Sequence, residues 1–314
     1  MENLIFSLNA TMPVFLLMVL GAFFRRVGLI DGKFVNGMNR FVFNASLPVL
    51  LFEDLSTSDF AEVWDGRFVL FCFGATLLGI GLAALLSMGL KEKAIRGEFI
   101  QASYRSSAAI LGIAFIKNIY GNAGMAPLMI IGSVPLYNVM AVVVLSFTRP
   151  DSGALNADTL KKTLKGIAAN PIILGILAGL AWSLMGIPQP AIMTKTISSL
   201  ANVATPLGLM AMGAAFDWKQ AGAKVKPALG ASFLKLVCFC GIFLPAAIAF
   251  GFREEQLVAI LVMLGSATTV SCYIMARNMG HEGVLTSSVV ALTTCGSAFT
   301  LTFWLFLIKS LGLI

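Results

Sequence analysis

Charge is scarce in this chain: aspartate, glutamate, lysine and arginine together supply 12% of its residues, against about 25% in soluble domains. That is too little polar surface to cover a water-soluble globule of 314 residues. Histidine occurs once, as His281 in a short predicted turn, so there is no HExxH zinc site and no Ser/His/Asp set. Paired carboxylates for hydrolysis and a Walker-type GK[ST] loop are missing too. An enzyme is therefore not expected, nor transport driven by the chain's own ATP hydrolysis, and no cofactor is implied. Cysteine is present but unorganised: Cys72, Cys238, Cys240, Cys272 and Cys295 lie in apolar segments, without CxxC spacing. Cys238 and Cys240 point to different sides of a helix, which argues against a metal or disulfide role.

What is abundant is hydrocarbon. The chain is 58% hydrophobic with a mean hydropathy of +0.89. Its apolar runs recur from one terminus to the other, each long enough to cross about 30 Å of bilayer core. Spans are predicted at 4–24, 35–55, 68–90, 99–118, 125–147, 169–186, 191–214, 227–250, 256–278 and 284–308. The acidic start Met1-Glu2-Asn3, and a first run ending at Arg25-Arg26 without a cleavage pattern, read as a retained first span.

The formal charge of +7 is not a nucleic-acid signal, because the basic residues are scattered between spans. They report topology instead. Fifteen lysines and arginines, among them Arg25, Arg26, Lys91, Lys161, Lys224 and Arg277, fall in one alternate set of loops. Five (Arg67, Lys117, Lys195, Arg253 and Lys309) fall in the other set and the tail. The positive-inside rule then puts both termini outside, in a multi-pass protein of the cytoplasmic membrane.

A repeat organises the spans. A shift of 158 positions matches Pro13 with Pro171, Gly21 with Gly179, Gly28 with Gly186, Asn44 with Asn202, Pro48 with Pro206 and Asp59 with Asp217. Farther on the shift becomes 159, pairing Ala108 with Ala267, Gly121 with Gly280 and Gly124 with Gly283. Each half holds five spans, and an odd number inverts the second half relative to the first. The expected fold is all-α and integral to the membrane, ten transmembrane helices as a 5+5 inverted-topology repeat. Residues 1–147 form the first unit, 148–168 a cytoplasmic linker and 169–314 the second.

Breaks in spans point to sites, because unwound backbone at membrane depth is tolerated only inside protein or beside a water-filled cavity. The fourth span is interrupted by Ser103, Tyr104, Arg105, Ser106 and Ser107 before Gly112; the ninth carries Gly265, Ser266, Thr268, Thr269, Ser271 and Tyr273. Half-helix N-termini at the membrane centre would seat a carboxylate. The same small residues also permit close helix packing, so both readings stand. Arg105 lies about 9 Å inside its span, deep enough to meet an anionic substrate or to snorkel. Lys235, at comparable depth on the eighth span, is expected to snorkel. Asn44 with Pro48, and its copy Asn202 with Pro206, place an amide one turn before a proline, so a kink and a freed carbonyl arise together. On the fifth span Pro135, followed by Tyr137 and Asn138, suggests a similar interruption facing the same cavity. No aspartate or glutamate falls near the middle of a predicted span, which disfavours a proton relay on buried carboxylates.

With these residues in view, the chain resembles the auxin efflux carrier family, which includes plant PIN-type carriers and bacterial carriers of malate, malonate and similar acids. The likeness rests on Leu20-Gly21 with Arg25-Arg26-Val27-Gly28-Leu29-Ile30, on Phe41 to Phe52 around Ser46-Leu47-Pro48, on Ser103 to Gly121, and on Pro206 to Gly213. The resemblance implies broken, crossing fourth and ninth helices with the second and seventh beside them. Gly112-Ile113-Ala114 has alanine where the family commonly has proline, and the ninth span has no proline. The implied activity is secondary transport of a small mono- or dicarboxylate, malate-, malonate- or auxin-like, by alternating access. A non-transporting receptor for an organic acid is the alternative. Substrate contacts are expected from Arg105, Ser106, Ser107, Gly112, Tyr137, Asn138, Ser266, Thr268 and Thr269, and helix breaks or ion contacts from Asn44, Pro48, Pro135, Asn202 and Pro206. The expected partners are the organic anion, the lipid bilayer and a coupling proton or sodium ion; a homodimer is left open.

Overall fold

The structure is a computed structural model that describes residues 2–57, 65–108, 116, 119–121, 124–149 and 157–314. Among them the regular structure is helical throughout, as it must be for a chain whose backbone polar groups find no partner in hydrocarbon. In chain order the elements are α1 (Glu2–Arg26), α2 (Gly32–Phe41), a π-turn (Val42–Ser46) and α3 (Leu47–Ser56), then α4 (Gly66–Ser87), α5 (Arg96–Tyr104), α6 (Ala126–Phe147) and α7 (Ala157–Ala168). They continue with α8 (Pro171–Met185), α9 (Ala191–Ala201), α10 (Ala204–Ala215), α11 (Trp218–Ala223), α12 (Val225–Phe233), a second π-turn (Leu234–Cys238) and α13 (Phe239–Ala249). The last three are α14 (Glu254–Gly265), α15 (Ser271–Asn278) and α16 (Val284–Ser310).

Among the described residues five stretches are long and apolar enough to cross a membrane: Gly66–Ser87, Ala126–Phe147, Ala191–Ala215, Val225–Ala249 and Val284–Ser310. Their outer faces suit lipid. Leu70, Leu78, Leu85, Phe303 and Phe306 stand exposed, Leu70 to 70%, where a soluble protein would carry charge. Helix starts follow local chemistry: Asp65 caps α4 through the Arg67 and Phe68 N–H groups, and Asn170 caps α8 ahead of Pro171 at its first turn.

Close backbone approach holds the centre. A Cβ added at Gly213 of α10 would lie 1.9 Å from the Met18 carbonyl oxygen of α1, and one at Gly21 would lie 2.1 Å from the Met210 oxygen. On the neighbouring pair, α3 with α8, Gly175 faces the Pro48 oxygen at 2.4 Å and Gly179 the Phe52 oxygen at 2.9 Å. Small residues let helices meet in this way where lipid offers no hydrophobic drive. The contact of Gly21 with Met210 becomes that of Gly179 with Phe52 when each first-half residue is moved 158 places forward and each second-half residue 158 back.

Glu98 of α5 is buried and ties the first half to the start of α16. Its carboxylate accepts the Gly283 and Thr286 N–H groups at 2.8 and 3.0 Å and the Thr286 hydroxyl at 3.2 Å. An anion at the positive end of a helix satisfies donors that the helix itself leaves open. Glu98→Ala is expected to cost about 2–3 kcal/mol, seen as a lower unfolding midpoint in detergent. An unchanged midpoint would refute that role for the carboxylate.

Candidate functional site

Two helices stop at the centre of the molecule. α5 ends at Tyr104, and Arg105 turns to extended backbone (φ −74°, ψ 136°). α14 ends at Gly265, where Ser266 does the same (φ −71°, ψ 160°), and the chain resumes as α15 at Ser271. The two unwound stretches cross and bond to each other. The Ser107 N–H donates to the Ala267 carbonyl at 2.9 Å, and the Thr268 hydroxyl donates to the Ala102 carbonyl at 2.8 Å. Thr293 of α16 supports the crossing by accepting the Thr268 N–H at 3.0 Å. Backbone groups freed by unwinding are thus re-satisfied by protein.

Beside the crossing lies a cavity of about 60 Å³, room for roughly four or five waters. Its walls come from both breaks (Arg105 to Ala108, and Thr269 to Ser271), from Val134, Tyr137 and Asn138 of α6, from Ala204 and Thr205 of α10, and from Val42 of the first π-turn with Leu47 and Asp54 of α3. Arg105 is its chemical centre. The guanidinium is 1% exposed and donates to Asn138 Oδ1 at 2.6 Å, Ser271 Oγ at 2.7 Å, Gln101 Oε1 at 3.4 Å and Met275 Sδ at 2.9 Å. All four partners are neutral, and its Nε has no hydrogen-bond partner. Among the described residues the ion pairs within 4 Å both belong to Lys224. The N-terminus of α15 opens on the same space through Thr269, Val270 and Ser271, adding its positive dipole end to that of the cation.

The residues singled out by sequence divide into several groups. Arg105, Ser106, Ser107, Tyr137, Asn138 and Thr269 all line the cavity. Ser266 and Thr268 are buried but are not among its lining residues; Thr268 is a strut of the crossing. Alternate residues of an extended stretch face opposite ways, which separates Thr268 from Thr269. Gly112 lies outside the described residues. Asn44 and Asn202 are exposed, and the Asn44 amide donates to the Arg40 carbonyl at 2.8 Å. Pro48 sits in the first turn of α3, directly after the π-turn Val42–Ser46. Pro206 lies in the first turn of α10, just past the break at Asn202 and Val203. Pro135 lies inside a helix that runs unbroken from Ala126 to Phe147, so this proline does not end the helix as the sequence suggested.

Three placements were not foreseen from the sequence. Asp54 lines the cavity from the last turns of α3, although it stands at the very end of the predicted span 35–55. Ser271 holds the Arg105 guanidinium; its place in the polar run of the ninth span was the available signal. Lys235 is the third, and it does not snorkel. Its side chain is fully buried, with Nζ on the Leu264 carbonyl at 2.6 Å and on the Ser106 hydroxyl. The carbonyl end of the broken helix α14 gives the ammonium a partner inside the protein.

A family model described as "Membrane transport protein" matches residues 6–305 of the chain. A protein of Rhizobium meliloti (strain 1021), named "Putative malonate transporter", is 24% identical over 319 residues, covering 95% of this chain and 95% of its own length.

Proposed function

Because the chain belongs to the membrane transport protein family, the auxin efflux carriers, we propose that it is a secondary carrier moving a short organic anion by alternating access. One observation carries the reading: a buried guanidinium with only neutral partners, on the wall of a small cavity between two crossed helix breaks. A buried cation held only by neutral groups is costly, several kcal/mol by order of magnitude. A substrate carboxylate arriving at Arg105 supplies a charged partner. The N-terminus of α15 favours the same sign, and the Thr205 and Thr269 side chains stand on the same wall to donate to a second carboxylate. Space for roughly four or five waters suits a three- or four-carbon acid better than an indole ring. The relative's name points the same way.

The architecture proposed is two oppositely inserted five-span units, 1–147 and 169–314, joined through 148–168, with both termini outside. The interchange of the Gly21/Met210 and Gly179/Phe52 contacts under the 158-residue shift supports it, since a two-fold axis would generate that exchange. In this arrangement α1 and α3 of the first unit pack on α10 and α8 of the second. The crossed breaks then ride between the units, so that rocking exposes Arg105 to either side in turn.

Proteoliposomes holding the purified protein are expected to take up labelled malonate or malate saturably, with weak competition from indole-3-acetate. Saturable binding of these acids with no flux in either direction would overturn the carrier reading in favour of a receptor. Competition by indole-3-acetate equal to that by malonate would remove the size argument.

A further inference from the structure

The crossing holds a second buried cation that anion binding does not use. Lys235 belongs to the π-turn Leu234–Cys238, whose extra residue per turn aims the side chain inward. Its ammonium meets the last carbonyls of α14: Nζ donates to the Leu264 oxygen, while the adjacent Met263 oxygen accepts the Ser106 and Tyr137 hydroxyls. Ser106 also accepts from Nζ. A helix that stops at membrane depth ends in free carbonyls and the negative end of its dipole. In broken-helix carriers such an end is where a coupling metal cation is held. Here an oxygen set of that kind, Leu264 O with the Ser106 hydroxyl, is taken by a side chain. No carboxylate lies within 4 Å of Nζ among the described residues. Beside it is a pocket of about 10 Å³, lined by Thr76, Tyr104 and Tyr137 among others, room for about one water. Thr76 stands 159 positions before Lys235, so the matching place in the first half carries a hydroxyl and the cation is supplied once.

We propose that the Lys235 ammonium is the resident cation of the α14 carbonyl end, filling the seat a sodium ion would otherwise take, so that the protein works without sodium. The flux part of this inference rests on the carrier reading above; the seat itself does not.

The test compares wild type with Lys235→Ser, purified in detergent, in chloride salts of N-methylglucamine, potassium, sodium and methylammonium at equal ionic strength. The wild-type unfolding midpoint is expected to be the same in sodium as in N-methylglucamine. Lys235→Ser is expected to melt lower in N-methylglucamine and to recover saturably in sodium or methylammonium, as a vacated seat refilled by mass action. If the variant is not recovered in N-methylglucamine, its yield when purified in sodium or methylammonium is read instead, and recovery there supports the seat. A saturable rise of the wild-type midpoint in sodium would overturn the proposal. So would a variant that no cation stabilises, or one that none recovers. In proteoliposomes, wild-type malonate uptake should be unchanged when N-methylglucamine replaces sodium on both sides, and Lys235→Ser uptake should fall about tenfold and regain activity with sodium. A dependence of wild-type uptake on sodium overturns the sodium-free claim. Absence of uptake by wild type, with the midpoints behaving as stated, counts against the carrier reading and leaves the seat standing.

Discussion

Replacing Arg105 by methionine is expected to abolish organic-anion uptake while leaving the unfolding midpoint nearly where it was. The guanidinium makes four contacts with neutral groups, and losing them costs about 1–3 kcal/mol each where a partner is left dry. Against that stands the penalty of keeping a cation 1% exposed with no carboxylate within 4 Å among the described residues, several kcal/mol in itself. The two terms are of the same size and opposite sign, so net stability should move by no more than about 2 kcal/mol. Binding has no such offset. A substrate carboxylate that loses its charged partner in a desolvated site forfeits about 3 kcal/mol or more, which is roughly 150-fold in Kd. Arg105→Lys restores the charge without the fork that reaches Asn138 and Ser271 together, and is expected to recover only a small part of the affinity. Anion-binding titration and thermal unfolding on the same samples decide the matter. Full uptake by Arg105→Met would end the anion-site assignment; a collapse of the midpoint with binding intact would make the arginine a structural tie.

The second large effect is expected at Gly213. Its Cβ would sit 1.9 Å from the Met18 carbonyl oxygen and 2.6 Å from that carbonyl carbon, and both atoms are backbone of a packed helix. Alanine there must drive α1 away from α10 by more than 1 Å, and valine farther. Overpacking of flexible side chains costs about 1–3 kcal/mol; a rigid backbone neighbour puts Gly213→Val at or beyond the upper end. The variant should be poorly recovered or melt far below wild type. Gly81→Ala is the control, since nothing stands within 4 Å of the added carbon on a lipid-facing part of α4, and it should be neutral. Equal midpoints for the two variants would show that α1 and α10 do not meet as described.

Much of this could be read in advance because lipid imposes it. Apolar length marks Gly66–Ser87 and Val284–Ser310 as spans whatever packs beside them, since every residue on the outer face meets the same hydrocarbon. Broken spans were legible for a related reason: Ser106-Ser107 and Ser266 to Ser271 make poor lipid-facing helix, and the structure unwinds at both places. The π-turn was not. Nothing in Val42 to Ser46 announces an extra residue in the turn, and that residue changes the register between Asn44, which stands exposed, and Leu47, which lines the cavity.

Composition and periodicity alone therefore decided that the chain is helical, where it is apolar enough to sit in a membrane, and which segments are too polar to stay wound, because those are properties of a segment against its solvent. Which side chains meet was left to the tertiary structure. Asp54 beside the Arg105 cavity, Thr268 turned from it, and Lys235 on the Leu264 carbonyl all depend on where two helix ends cross. A crossing is a relation between residues more than a hundred positions apart, and the backbone atoms that take part in it carry no mark of their partner in the sequence.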